Sequence, residues 1–188
     1  MPIPIHFPQP TEAVLANYDY VDIAEGTGSV RYYMIQYQTS AGTTYGLTRQ
    51  ADRSANISTS PGGTVEYDLD LPAFNLPKLV RGTAIFGASG DKGNGTLNFT
   101  VTLKKWDGTT ETNITSAITS DDGGVGEDWF IFELPVTTDT HFKIGEILRL
   151  TVSVVGTGTA KWNHDPSDSE GANPSKAGFI SVPFKIDL

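Results

Sequence analysis

The chain has 188 residues, enough for one sizeable hydrophobic core, and 38% of them are apolar. Its 13 basic and 22 acidic residues give a formal charge of -9, which disfavours contact with the phosphate backbone of nucleic acids. There is no cysteine, so neither a disulfide framework nor a thiolate metal site can form. The start lacks the features of a signal peptide and no long apolar run occurs, so the sequence predicts neither export nor membrane insertion.

Residues 1–17 are predicted to form an extended arm. Prolines stand at positions 2, 4, 8 and 10, where each fixes φ and removes a backbone donor, so this segment can be neither a regular helix nor an interior strand. Ile3, Ile5 and Phe7 lie between the prolines. A disordered tail is the alternative, but it would leave these side chains in water. We therefore predict that the arm docks on a neighbouring subunit and that these three residues bind the partner.

Residues 18–60 are predicted to form an N-terminal hairpin region. The run at 30–37 is rich in strand-forming residues, residues 39–42 supply a turn, and residues 45–47 begin a return strand. A polar connection follows at 49–63. The predicted boundary of the main domain lies there, so that residues 61–188 form the β-sandwich.

The main domain is predicted from repeated alternation of apolar and polar residues, which indicates strands with one buried face. The apolar positions of the alternating runs are Val65, Tyr67, Leu69 and Leu71; Leu97, Phe99, Val101 and Leu103; Phe130, Phe132 and Leu134; Leu148, Leu150, Val152 and Val154; Ile180, Val182, Phe184 and Ile186. Pro183 suggests that the last strand lies at a sheet edge.

Turn-rich connections join these runs, and no segment keeps helical spacing over ten residues. The sequence therefore predicts an all-β protein, an antiparallel β-sandwich of about seven or eight strands with a jelly-roll or related Greek-key topology. The strand order cannot be read from the alternation.

Candidate catalytic chemistry is sparse. The three histidines are His6, His141 and His164, and none lies in a recognisable motif. His164 precedes Asp165, a pair that could hold a metal or orient a base. A structural role is favoured, in which Trp162 packs at the end of the sandwich, Asp165 caps a turn and His164 forms local hydrogen bonds. We predict that the protein is not an enzyme and has no catalytic residues.

Two acidic segments could bind Ca²⁺, because hard oxygen ligands are concentrated in them. Neither matches an established calcium loop, and solvated turns are the favoured interpretation. We therefore predict no metal site and no cofactor. The segments contain Asp121, Asp122, Glu127 and Asp128 in one case and Asp165, Asp168 and Glu170 in the other.

The tryptophans offer a second kind of site, because exposed coplanar rings can stack on sugars. Trp106 precedes a turn and is expected to be partly exposed, whereas Trp129 leads into an apolar run and is expected in the core. Trp106 and Trp162 are the candidate glycan-stacking residues if the protein is a carbohydrate-binding module.

The order of features resembles small β-sandwich proteins of tailed-phage particles, especially head decoration or cement proteins. The resembling segments are YDYVDIAEGTG at 18–28 followed by VRYY at 30–33, LPKLVRG at 76–82, FKIGEIL at 142–148, WNHDP at 162–166 and VPFKI at 182–186.

The resemblance implies a virion protein on the capsid surface, made in the host cytoplasm, present in many copies and often as homotrimers. Its partners would be the major capsid protein or other virion proteins, with neither nucleic acid nor membrane involved. We accordingly predict a capsid decoration or cement subunit that stabilises the particle through its arm and a sheet edge. The alternative is a carbohydrate-binding or host-receptor-binding sandwich, since one fold serves many functions.

Overall fold

A computed structural model describes residues 28–39, 42–49, 58–59, 61–120, 127–163 and 178–186. The described residues form strands and turns and include no helix, hence none with the length and apolar character to cross a membrane. The predicted all-β class is confirmed. The strands are β1 (Ser29–Thr39), β2 (Gly42–Thr48), β3 (Ser58–Thr59), β4 (Gly63–Asp70), β5 (Lys78–Asp91), β6 (Leu97–Trp106), β7 (Glu111–Asn113), β8 (Ile118–Thr119), β9 (Glu127–Phe142), β10 (Ile147–Gly156), β11 (Lys161–Asn163) and β12 (Phe179–Ile186).

The described strands are hydrogen-bonded into one twelve-stranded sheet, which can be divided into two layers. In the first layer β5 pairs with β9 along one edge and with β12 and β11 along the other; β3 follows β11, and β1 and β2 follow β12. In the second layer β10 lies between β4 and β6, and β7 and β8 pair with β6. A single parallel pair, Gly46 with Asp70, joins the layers, while every other described pairing is antiparallel.

The core lies between the layers and is dominated by aromatic rings. Phe99 of β6 meets Phe130 of β9 at 4.8 Å between ring centroids and Trp162 of β11 at 5.9 Å. Tyr67 of β4 contacts the same indole at 4.8 Å. These edge-to-face contacts add attraction beyond the burial of apolar area, so they hold one sheet against the other.

The N-terminal hairpin belongs to this same core. β1 pairs with β12 from Ser29 to Tyr33, and β2 continues the sheet on the far side of β1. Met34 and Leu47 are buried among the residues of the sandwich. The hairpin that the sequence analysis placed before residue 61 is therefore an integral part of the first layer.

The expectation that the C-terminal strand lies at an edge is wrong, because β12 lies between β1 and β5. Its Pro183 is accommodated where the pairing with β5 shifts register between Ser181 and Phe184. At such a bulge a residue is left unpaired, so the missing N–H costs no ladder hydrogen bond. Gly82 of β5 lies close to the Pro183 ring of β12. Its φ is +114°, a conformation that glycine adopts without strain.

The contact between the layers gives a stability prediction. Replacing the fully buried Phe99 of the second layer with alanine should remove its ring contacts to the first layer and lower the free energy of unfolding by about 3–5 kcal/mol. Ile144→Ala, at a turn residue that is 66% exposed, is the control and should change it by less than about 0.5 kcal/mol. Denaturant unfolding measures both. Equal losses in the two variants would show that the layers do not depend on this ring.

Candidate functional site

The outer face of the first layer carries an apolar cluster. Along β9 the side chains of Phe130, Phe132 and Leu134 are buried, so the alternate residues Trp129 and Ile131 face outward. Ile131 is 61% exposed, and Ile85 on the adjacent β5 is 40% exposed. We name the cluster of Trp129, Ile131, Ile85 and Phe179 the outer patch.

Phe179 of β12 completes the outer patch by lying across a glycine. Phe179, Gly87 and Ile131 are direct neighbours in one row across β12, β5 and β9. A Cβ atom on Gly87 would lie 2.6 Å from Cε1 of the Phe179 ring, so any larger residue there would displace the ring. The Trp129 ring lies 6.2 Å from that of Phe179, tilted by 36°. Because Gly87 has no side chain, the Phe179 ring of β12 can lie close to the Trp129 ring of β9.

Charged side chains border the outer patch. The Arg31 guanidinium lies 4.2 Å from the centroid of the Phe179 ring, within the range of a cation–π contact. On the opposite side, Glu133 of β9 is paired across the ladder with Ile85 and is exposed. An apolar centre with a polar rim is the anatomy of a protein–protein interface.

β9, which carries Trp129 and Ile131 of the outer patch, is also an edge strand. β9 is 16 residues long and, among the described strands, pairs only with β5. On its far side the His141 carbonyl accepts a hydrogen bond from Lys105 Nζ of β6, and no described strand pairs on that side with residues 131–135; this stretch is named the free edge of β9. A long edge of this kind is a template for pairing with another strand unless something covers it.

The outer face of the second layer is ionic. Arg149 of β10 binds Asp70 through two hydrogen bonds, Nε to Oδ1 at 2.6 Å and Nη2 to Oδ2 at 2.8 Å. Its Nη1 binds Glu111, which also accepts a hydrogen bond from Lys104 Nζ at 3.0 Å. Asp68 lies 3.5 Å from the same Nη1. This Arg149 cluster ties β10 to β4 and β7.

In the Arg149 cluster, hydrogen bonds between opposite charges favour the ionised forms of Glu111 and Arg149. Hydrogen bonds from Lys104 and then Arg149 lower the pKa of Glu111, and those to Asp70 and Glu111 raise the pKa of Arg149. A general acid needs a carboxyl group that is protonated near neutral pH, whereas here the ionised form is favoured. The cluster is therefore suited to holding strands together and not to proton transfer.

Trp106 lies at the margin of the Arg149 cluster. Its ring is half-buried, and the Arg149 guanidinium lies 5.3 Å from the ring centroid. The neighbouring position across the ladder is Glu111. The partial exposure predicted for Trp106 is confirmed, and the ring lies beside charged groups able to form hydrogen bonds.

Trp162 is packed in the sandwich, as its favoured structural role requires, whereas Trp129 is not in the core where it was expected. Trp162 is fully buried between Tyr67 and Phe99, so it cannot stack on a sugar, and its assignment as a glycan-stacking residue is wrong. Trp129 is on the outer face and not in the core. The strict alternation that begins at Phe130 was the signal that could have placed Trp129 outside.

Several predicted site residues lie outside the described part of the chain. These are the partner-binding residues of the arm, Ile3, Ile5 and Phe7, together with His164 and its neighbour Asp165. The side chains of both acidic segments considered for Ca²⁺ also lie outside it. Among the described residues, no group of three or more His, Asp or Glu side chains is arranged to hold a metal ion.

Comparison with known proteins shows a shared fold. No protein-family model matches the sequence, and no curated protein matches it. Among solved structures, an alpha-amino acid ester hydrolase has a TM-score of 0.53 at 10% identity over 84% of this chain and 36% of its own. A CocE/NonD family hydrolase from Staphylococcus aureus has a TM-score of 0.50 at 10% identity over 85% and 37%. The chain thus spans little more than a third of either hydrolase, and at this identity the likeness concerns the fold alone.

The Arg149 cluster gives a prediction of pH dependence. Because the pKa of Glu111 is lowered from 4.5 in the folded state, its carboxylate adds stability above that pH and loses the effect as the pH falls through the folded value. Glu111→Gln should therefore lower the free energy of unfolding at pH 7 by up to about 1 kcal/mol, with a difference that vanishes in acid. Thermal unfolding of both proteins from pH 7 to pH 3 measures it. Glu66→Gln, at an exposed position of β4, is the control; a Glu111 effect independent of pH would contradict this account.

Proposed function

We propose that the protein is a non-catalytic docking subunit of a large protein assembly, as a decoration or cement protein is on a virus capsid. The observation that carries the proposal is the outer patch beside the free edge of β9. The resemblance of the sequence to tailed-phage decoration proteins supports the choice of assembly. The major capsid protein or another virion protein is the proposed partner.

The composition of the outer patch supports docking on protein. Aromatic residues are enriched among the residues that dominate interface energies, and Trp129 and Phe179 supply two of them at one place. Ile131 and Ile85 supply exposed aliphatic surface between the charged positions of the rim. A cluster of this kind on an otherwise acidic protein is suited to a partner with a complementary apolar surface.

The energy available from the outer patch favours attachment in an array. Complete burial of a large apolar side chain contributes about 1.5–3 kcal/mol, and Ile131 and Ile85 are already partly buried. Association costs several kcal/mol in lost translational and rotational freedom. One copy would thus bind weakly, and a symmetric set of linked copies would bind firmly because their contacts act together. This agrees with the expected homotrimer.

The docking function is tested on particles. Mass spectrometry of tailed-phage particles from the source of the sequence should find the chain among the capsid proteins, and its absence would exclude the virion role. Purified protein with Ile131→Ser and Ile85→Thr should then cosediment with stripped particles at least about tenfold more weakly than the unchanged protein. Ile144→Ser, equally exposed but distant in sequence from the outer patch, is the control and should bind normally.

A carbohydrate-binding role is the second candidate, supported by Trp106. The Arg149 guanidinium lies over one face of the half-buried Trp106 ring, and Glu111 is the neighbour of Trp106 across the ladder, so a sugar would have to stack on the opposite face, close to these hydrogen-bonding groups. With Trp162 buried, a platform of two tryptophans is excluded, so any glycan would rest on Trp106 alone.

A glycan array decides whether this second role exists. If it does, the unchanged protein binds at least one glycan, Trp106→Ala loses at least about tenfold in affinity, and Trp129→Ala does not. The second variant removes the same ring from the opposite layer and so controls for general damage. Absence of glycan binding, or equal loss in both variants, would exclude Trp106 as a stacking residue.

A further inference from the structure

We propose that residues 2–10 of the same chain add to the free edge of β9 as a further antiparallel strand. The first layer would then gain an edge strand, and the outer patch would extend onto Ile3, Ile5 and Phe7. Such pairing would keep the arm on its own molecule, in place of the neighbouring-subunit contact predicted from the sequence, and would let it contribute side chains to the docking surface proposed above. It can be tested without any particle, so failure of the pairing is distinguishable from failure of that function.

The spacing of the prolines is suited to this edge. In a strand, the backbone N–H and C=O groups of alternate residues point to the same side. All four prolines of the arm occupy even positions, Pro2, Pro4, Pro8 and Pro10, while the odd positions between them keep their N–H groups. Residues 3, 5, 7 and 9 can therefore form hydrogen bonds along one side, and the prolines face away from the sheet, as an outermost strand allows.

The proline within β9 indicates which of its residues face the free edge. Pro135 is paired with Thr83 of β5 in a continuous register that includes Ile131 and Glu133. Because proline has no N–H, its nitrogen belongs on the side of the strand away from β5. The odd-numbered residues of β9 near Pro135 thus direct their backbone groups toward the free edge, where the odd-numbered residues of the arm can meet them.

The side chains match in the antiparallel orientation. Residues directly opposite one another in a ladder have their side chains on the same face of the sheet. The odd-numbered residues of β9, including Ile131, face outward. Ile3, Ile5 and Phe7 would therefore lie on the outer face beside the outer patch. Apolar cross-strand pairs of this kind add to the stability of a sheet.

The connection is long enough for the arm to reach its own β9. The described chain begins at Gly28, next to β1, and β1 is separated from β9 by β12 and β5. A strand added outside β9 would be four strand spacings from β1, which is about 19 Å. Residues 11–27 can extend over about 55 Å, so they are long enough to reach it. A covalent connection of this length would hold the arm at a local concentration on the order of 1 mM. That favours the arm of the same molecule over one from a second copy in dilute solution.

Two proline substitutions test the pairing. Ile5→Pro removes a donor from the side predicted to face β9, whereas His6→Pro adds a proline on the other side and retains every predicted hydrogen bond. Hydrogen exchange of the Ile131 and Glu133 amides, followed by NMR, should accelerate at least about tenfold in Ile5→Pro and in a protein lacking residues 1–17, but not in His6→Pro. Ile5→Val keeps the donor and should behave as the unchanged protein.

Amides in β10, which lies between β4 and β6, should exchange at the same rate in every variant and show that the fold is intact. Exchange at Ile131 and Glu133 that is unaffected by Ile5→Pro, or that accelerates equally in His6→Pro, would overturn the proposed pairing.

A disulfide trap identifies the molecule that supplies the arm. Because the natural chain has no cysteine, Ile5→Cys combined with either Ile131→Cys or Glu133→Cys offers a single pairing. Mild oxidation should give a crosslinked monomer for at least one combination, while Ile5→Cys with Val65→Cys on the second layer should stay reduced. Disulfide-linked dimers would show that a second copy holds the arm, and a lack of crosslinks in both combinations would show that the arm is elsewhere; either result overturns pairing within one chain.

Discussion

The packing of aromatic rings between the two layers is the interaction on which the rest of the structure depends. Phe99 from the second layer meets Phe130 and Trp162 from the first, and Trp162 also contacts Tyr67. Among the described strands one backbone pair, Gly46 with Asp70, links the layers, so side-chain contact contributes more than hydrogen bonding to keeping them face to face. The inward positions are thereby committed to the core, and function is left to the outer faces and the edges.

The outer faces of the two layers differ in the side chains that they carry. In the second layer the surface charges pair with one another. Arg149 of β10 binds carboxylates of β4 and β7, which stabilises the packing of these strands in the layer. The first layer instead exposes Ile131 and Ile85 and ends in a strand whose far edge no described strand covers. The first layer is therefore the side on which the proposed partner would dock.

Local alternation was enough to predict the class of fold and most of the core. Leu150, Val152 and Val154 are all fully buried, as their spacing requires. What alternation cannot specify is which strands become neighbours, because pairing depends on contacts between residues distant in sequence. Pro183 shows this limit: a proline indicates a missing hydrogen bond, but an edge and a bulge both accommodate one. Trp162 was expected at the end of the sandwich, and only the contacts of its ring show that it is central.

The position of Phe179 over Gly87 has a consequence for how this surface can vary. Almost any substitution at Gly87 would introduce a Cβ where the ring now lies, so a change at one residue of β5 would rearrange a side chain on β12. The arrangement of the half-buried rings of Phe179 and Trp129 therefore depends on a buried residue that contributes no side chain of its own. In a related sequence, a larger residue at this position would be expected to come with a different shape of this aromatic surface.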